Sequence, residues 1–324
     1  MGYKSGFIAI VGRPNAGKST LLNAILKEKI MITSPKAQTT RNNVSGILTK
    51  EDVQFIFIDT PGIHKPQHEL GRSLNKSAYS ALRDADVIFY IVDGNESFGG
   101  GDRFMLEHLM NRKAPVFLLL NKVDLFKKEH LIKLLNDWNA RFPFTEMFPI
   151  SAKTKNNIDT LLKITKKYLP EGPQFFPTDM KSDHPRSFLL GEIIREKVLY
   201  KTEEEIPHSV AVIVEDIQEK NQELQMQALI IVERPSQKGI IIGKQGSMIK
   251  DIGSAARRDL ELMLGKHVYL ELYVKVEKDW RNNPTKLQQF GYSDIENNEE
   301  LNDVDEDLME AELLAKFSDI EQSN

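Results

Sequence analysis

Apolar and polar positions follow two rhythms along this chain, and the changes between them mark its elements. Phe7–Val11, Asp86–Val92 and Val116–Leu120 are near-continuous apolar runs, as expected of parallel strands buried on both faces. Val44–Leu48 and Gln54–Ile58 read as two more strands around the polar, hairpin-like turn Lys50-Glu51-Asp52. Thr20–Leu26, Ser73–Arg83, Arg103–Met110 and Ile158–Tyr168 have helical spacing, and Phe148-Pro149-Ile150 ends a last short strand. Strands alternating with helices predict an α/β domain over residues 1–170, a mostly parallel sheet with helices on both faces. Thr33–Asn42 and Ile63–Gly71 have no period and are expected to be loops.

Leu169-Pro170-Glu171-Gly172-Pro173 stops any helix, so 171–185 reads as a linker. Beyond it come a helix over Phe188–Leu199 and strands over Ser209–Val214 and Leu224–Val232, joined by the polar stretch Glu215–Glu223. Ile240-Ile241-Ile242 then leads into Gly243-Lys244-Gln245-Gly246, a helix over Met248–Leu264 and a strand over Val268–Val276. This order predicts a second, α+β domain over 186–291. Residues 292–324 carry a small apolar set (Leu308, Leu313, Leu314, Phe317) in an acidic background, and read as a solvated, largely disordered tail.

Charge sharpens this division. The net value of −4 conceals a tail, 293–324, with twelve acidic residues and one lysine, leaving about +7 elsewhere. Residues 234–291 alone hold eleven Lys/Arg against six Asp/Glu, so the second domain is expected to bind an anion. The 324 residues include no cysteine, which excludes disulfides and thiolate metal sites and fits a reducing cytoplasm. No apolar run reaches membrane-spanning length, and no leader is expected before the first strand.

The candidate chemistry begins where the first strand ends. Gly12-Arg13-Pro14-Asn15-Ala16-Gly17-Lys18-Ser19, followed by Thr20 and a helix, is a glycine-rich turn between strand and helix. Backbone N–H groups and the helix dipole converge there on a polyphosphate, Lys18 adds a charge for its outer phosphates, and Ser19 can ligate Mg²⁺. Asp59-Thr60-Pro61-Gly62 ends the third strand: its carboxylate suits a Mg²⁺-water contact, and Gly62 a γ-phosphate sensor. Asn121-Lys122-Val123-Asp124 follows a strand in the same way. Asp124 can accept from the N1–H and N2–H₂ edge of guanine, which adenine lacks. A desolvated acceptor left unpaired there can discriminate by roughly 10⁴–10⁵. Asn121 is expected to tie this loop to the phosphate cradle, and the Lys122 stem to cover one face of the base. In Ser151-Ala152-Lys153 the Ala152 N–H is expected to donate to guanine O6, with Lys153 against the base. In the second domain, the GxxG of Gly243–Gly246 lets a nucleic-acid backbone approach without a Cβ in the way. Lys244, Gln245, Lys250, Arg257 and Arg258 complete the candidate RNA-binding set.

GRPNAGKS, DTPG, NKVD and SAK in this order, then a GKQG module, resemble the Era family of GTPases. Lys36–Arg41, Glu192–Lys197 and Leu270–Val276 extend the likeness, which covers about 1–292. The resemblance implies a P-loop GTPase domain followed by a type II KH domain, with GTP/GDP and Mg²⁺ as cofactors. It also implies small-subunit ribosomal RNA near its 3′ end, and the small ribosomal subunit, as partners. Thr39 or Thr40, with Thr40 favoured, would close on Mg²⁺, making Lys18, Thr40 and Gly62 the catalytic group. Ile63 stands where Ras-like enzymes carry a water-orienting Gln, so slow intrinsic hydrolysis is expected. Asn15 is either a plain loop residue or, as in related GTPases, a K⁺ ligand. The resemblance allows peripheral contact with the inner face of the cell membrane, of which no basic amphipathic helix here gives a sign; a cytoplasmic monomer is expected. The rival readings are a related GTPase acting in RNA modification or ribosome handling at another site, and a KH-type scaffold in which nucleotide only stabilises the fold.

Overall fold

The computed structural model describes residues 2–36, 39–62, 68–220 and 223–292; Ile63 and the tail 293–324 lie outside them. Strands β1 (Lys4–Val11), β3 (Val53–Asp59), β4 (Val87–Asp93), β5 (Val116–Asn121) and β6 (Glu146–Pro149) run parallel, and β2 (Val44–Lys50) pairs antiparallel with β3. The sheet order is β2-β3-β1-β4-β5-β6. The continuous apolar runs have a direct cause, since alternate residues bury on opposite faces. Ile8, Ile10, Phe89 and Phe117 pack with α1 (Lys18–Leu26) and α5 (Ile158–Tyr168). Ala9, Val11, Ile88, Tyr90 and Leu118 pack with α2 (Glu69–Asp84), α3 (Gly100–Met110) and α4 (Lys128–Asn139). Helix α4 had no place in the sequence reading, although Leu131, Leu134, Leu135 and Trp138 repeat at helical spacing and pack on this face.

The second half runs α6 (Arg186–Lys201), the short α7 (Ile206–Ser209), β7 (Ala211–Lys220), β8 (Glu223–Val232), α8 (Pro235–Ile242), α9 (Ser247–Leu264) and β9 (His267–Val276). Its sheet has the order β7-β8-β9, antiparallel then parallel. One expectation changes. Glu215–Glu223 is not a plain connection, because β7 continues along it to Lys220, past a register shift between Val214 and Asp216, and Lys220 pairs with Glu223 of β8. Its polarity reflects exposure, not the absence of a strand. Ile240–Ile242 is the last turn of a helix, with Ile241 alone fully buried.

The stretch 171–185 is not a free tether. It runs from β1 to the edge strand β2 through Lys4–Glu171 and Gly46–Ser182 bridges, with Ile47 N–H donating to the Lys181 carbonyl at 2.9 Å. The fully buried Gln54 fastens its centre: Phe175 and Phe176 N–H donate to Gln54 Oε1 at 2.9 and 3.0 Å, and Gln54 Nε2 donates to the Phe176 carbonyl at 2.8 Å. The second half therefore starts from a fixed point on the first. It also grips the first directly. Ile32 is buried in the core of the second half. Leu70 and Leu74 of α2 pack with Trp280, with α10 (Pro284–Gln289) through Leu287, and with Phe290 and Tyr292. Segment 280–292, unassigned from sequence, thus serves as the joint between the halves.

Gln54→Ala removes four hydrogen bonds of a buried side chain, three of them to Phe175 and Phe176 and one to Thr49 Oγ1. It is expected to lower stability by about 1–3 kcal/mol and to open 171–185 to limited proteolysis, read by thermal melting and by mapping the first cut.

Candidate nucleotide site and RNA-facing loop

The carboxyl ends of β1, β3 and β5 bring the three motifs of the first half onto one edge. They line a cavity of about 790 Å³ that takes in Pro14, Asn15, Gly17–Thr20, Thr40, Gly62, Asn121, Lys122, Asp124 and Ser151–Lys153. Gly17 is fixed by close approach: its φ is +104°, and a Cβ would stand 2.3 Å from Asn121 Nδ2. That amide is the brace of the site. Asn121 Nδ2 donates to the Ala16 carbonyl at 2.8 Å, and its Oδ1 accepts from Ala152 N–H at 2.9 Å, so one side chain joins all three base and phosphate loops. The Ala152 N–H, expected to donate to guanine O6, is therefore already engaged in this structure, and a base must share it.

Lys18 lies buried beneath the loop, donating to the Gly12 and Arg13 carbonyls at 3.0 and 3.2 Å. Burial pushes its ammonium pKa down, opposed by the charge of Asp59. Asp59 is fully buried, and burial pushes its carboxyl pKa up against the pull of Lys18, Ser19 and Thr40. Ser19 Oγ and Thr40 Oγ1 donate to Asp59 Oδ2 at 2.7 and 3.1 Å and stand 3.2 Å from each other. The other carboxylate oxygen, Oδ1, is buried without a partner. Two hydroxyls and one carboxylate, with an unsatisfied oxygen among them, form a hard-oxygen set that fits Mg²⁺ held jointly with phosphates. Of the two candidate threonines, Thr40 faces this set, while Thr39 Oγ1 donates to the Lys36 carbonyl at 2.7 Å.

Several expected residues stand behind the cavity wall and do not line it: Gly12, Ala16, Asp59, Thr60, Pro61 and Val123. Thr60 Oγ1 donates to the Ile10 carbonyl at 2.9 Å, and Val123 N–H to the Ile150 carbonyl at 3.2 Å. Arg13 departs furthest from expectation. Its guanidinium pairs with Glu96 and Asp102 of the α3 side and turns away from the phosphate cradle. Lys122 is held by Asp93 at 2.5 Å, which orients its stem. Asp124 is exposed here, not buried, so a base edge itself must desolvate it. Asn15 has φ +64° and donates through Nδ2 to the Pro35 carbonyl at 3.0 Å, linking the P-loop to the next loop. Thr33–Lys36 also line the cavity, and two contributions escape the sequence reading: Leu125, and Tyr200 of α6. Tyr200 lies on the second half, and nothing in its local sequence signals this.

On the second half, Gly243–Gly246 forms the turn between α8 and α9. Gly246 has φ +76°, and no atom lies within 4 Å of where its Cβ would be, so the loop is open on that side. Gly243, by contrast, is packed against Met248. Lys244, Lys250, Arg257 and Arg258 are exposed, and Lys250 and Arg257 lie seven residues apart on one face of α9.

Comparison with known proteins agrees with this geometry. Residues 7–122 match a family described as 50S ribosome-binding GTPase, and 205–281 match the KH domain family. A crystal structure of Era in complex with MgGDPNP and nucleotides 1506–1542 of 16S ribosomal RNA is 43% identical, over 90% of this chain and 99% of that chain, with TM-score 0.85. This chain belongs to the Era family of GTPases. A single-residue variant of Era from Aquifex aeolicus, bound to GDP and AlF₄⁻, matches with the same identity, coverage and TM-score. The Era-family fold, a P-loop GTPase domain followed by a KH domain, is the fold described above.

Asp124→Asn is expected to lower GTP affinity by at least about tenfold, the effect of one lost charge-assisted base contact, and to admit xanthine nucleotides. Competition of XTP and GTP for a fluorescent nucleotide measures this; unchanged GTP preference would remove Asp124 from the base site.

Proposed function

We propose that this chain is a GTP-binding and GTP-hydrolysing switch. It binds small-subunit (16S) ribosomal RNA near its 3′ end through the KH domain and assists assembly of the small subunit. The observation that carries this reading is the full-length relative captured with a GTP analogue, Mg²⁺ and 16S nucleotides at once. The family description that names the large subunit matches only residues 7–122, whereas the RNA-bound relative matches both halves, so the small subunit is the better-supported partner. In our reading the functional units are the GTPase domain, 1–170, the segment 171–185, and the KH domain, 186–291. The compartment is the cytoplasm, where that partner is made. No helix among the described residues is long and apolar enough to cross a membrane.

Each motif then has a physical task. Pro14–Ser19 cradle the phosphates, with Lys18 rising from the Gly12 and Arg13 carbonyls to the outer ones. Ser19, Thr40 and, directly or through water, Asp59 hold Mg²⁺, which neutralises charge on the β- and γ-phosphates when bound. Asn121 keeps the base loop in register with the P-loop, so Asp124 meets the guanine edge without reorganisation. Gly62 on the cavity wall offers its N–H to the γ-phosphate. Because an aliphatic residue, Ile63, replaces the water-orienting Gln, unaided turnover is slow. Asn15 beside the cradle is the candidate K⁺ ligand that compensates, and faster hydrolysis in K⁺ than in Na⁺ buffer is expected; equal rates remove that role.

RNA crosslinking with sequencing tests the whole reading. Wild-type protein with a GTP analogue is expected to crosslink near the 3′ end of 16S RNA. Gly246→Asp, which places a carboxylate in the open GxxG loop, should lose those crosslinks while retaining GDP affinity. Scattered crosslinks indifferent to nucleotide and mutation would contradict it.

A further inference from the structure

Helix α6 belongs to the KH half, yet one of its faces reads the nucleotide half. Glu192, Arg195, Glu196 and Tyr200 are spaced at i, i+3, i+4 and i+8 and therefore share a stripe. Arg195 is 0% exposed. Its Nε and Nη2 donate to Glu192 at 2.6 Å each, and Nη2 also donates to the backbone carbonyl of Thr39. Its neighbour Glu196, 1% exposed, accepts from Thr33 N–H at 3.0 Å and from Lys29 at 2.6 Å. Adjacent residues of one helix thus hold both ends of the loop that runs from Thr33 to Thr40. Arg41 answers from the opposite side. It is buried and donates to the Val210 and Pro207 carbonyls of the KH half at 2.6 and 2.8 Å.

This is an expensive way to glue two domains. Two guanidiniums share a buried joint, and burial together with Arg195 pulls the Arg41 pKa down to about 10. Arg195 Nη1 and Arg41 Nε are buried without partners. Apolar residues of similar volume would stabilise such a joint as well or better. What an arginine adds here is a directed grip on one carbonyl. With the Thr39 carbonyl held on the α6 side, the next side chain, Thr40, points to Ser19 and Asp59 at 3.2 and 3.1 Å.

We propose that Arg195 is a positioning residue of the nucleotide switch: from the RNA-binding half it holds the Thr39 carbonyl and so aims the Thr40 hydroxyl at the metal and phosphate site. The proposal rests on the GTPase-switch reading and names the contact through which the KH half takes part in it. Release of Thr40 after hydrolysis frees Thr39 from Arg195, and displacement of α6 by RNA alters the hold on Thr40.

Full-length Arg195→Met, which keeps an unbranched stem and loses every donor, tests this with mant-GDP and a mant-labelled GTP analogue titrated over Mg²⁺. GDP affinity is expected to stay as in wild type. Affinity for the GTP analogue at saturating Mg²⁺ is expected to fall about tenfold, the size of one lost charge-assisted hydrogen bond. Arg195→Lys, which keeps a donor, should recover part of it. Equal losses for both nucleotides, or no loss, would overturn the proposal, because a merely structural arginine has no reason to separate GTP from GDP. Glu192→Gln weakens the partner that orients the guanidinium without deleting any donor of Arg195. It is expected to shift the ratio in the same direction by less, which keeps the proposal testable should Arg195→Met fail to fold. Affinity of wild type for a 16S 3′-end fragment is measured alongside. RNA binding blind to nucleotide contradicts the switch reading, while the ratio of nucleotide affinities still decides the role of Arg195.

Discussion

Parallel strands bring their carboxyl ends to one edge, and helices covering both faces leave that edge open for a ligand. In this chain the edge gathers the P-loop, Asp59 and the base loop, and the amide of Asn121 braces them with a donated and an accepted hydrogen bond. Most other requirements follow from that brace. Gly17 must lack a Cβ because Asn121 occupies its space. Asp59 must sit in the dry interior of the sheet, where Lys18, Ser19 and Thr40 offset a cost that burial imposes on its carboxylate. The groups that face the phosphate and Mg²⁺ positions are already bonded to one another, so binding replaces internal partners with a ligand.

Much of this was legible from sequence because it depends on local rules. Continuous apolar runs announce buried parallel strands, and the glycine and charge spacing of the cradle points to phosphate chemistry. The features that stayed hidden share one physical trait: they depend on contacts between segments distant in the chain. Arg13 is one residue of the P-loop, and its neighbours in sequence do not reveal that Glu96 and Asp102 hold its guanidinium. The bond from the Ala152 N–H to Asn121 spans 31 positions and is equally hidden. Gln54 reads as one polar residue in a strand, yet it anchors 175–176 and turns a predicted tether into a fixed strap. Polar Glu215–Glu223 failed differently: an exposed hairpin needs no apolar pattern, so periodicity is silent there.

The second lesson concerns how the halves meet. The KH half rests on Ile32, Thr33, Thr39 and Arg41 beside the nucleotide cavity, and on Leu70 and Leu74 of α2. These segments flank the motifs that sense nucleotide. On the switch reading proposed above, these segments change with nucleotide, and a domain packed on them shares their equilibrium.

Linkage gives that claim a strict form, since two ligands that share a conformational equilibrium must alter each other's affinity by the same factor. The most direct measurement closes the box: affinity of a 16S 3′-end fragment with GDP and with a GTP analogue bound, and affinity of each nucleotide with and without the fragment. The account predicts tighter RNA binding in the GTP-analogue state by about fivefold or more, with RNA raising the preference for the analogue over GDP by the same factor. Both ratios equal to one would mean that the two halves touch without communicating, and would contradict it.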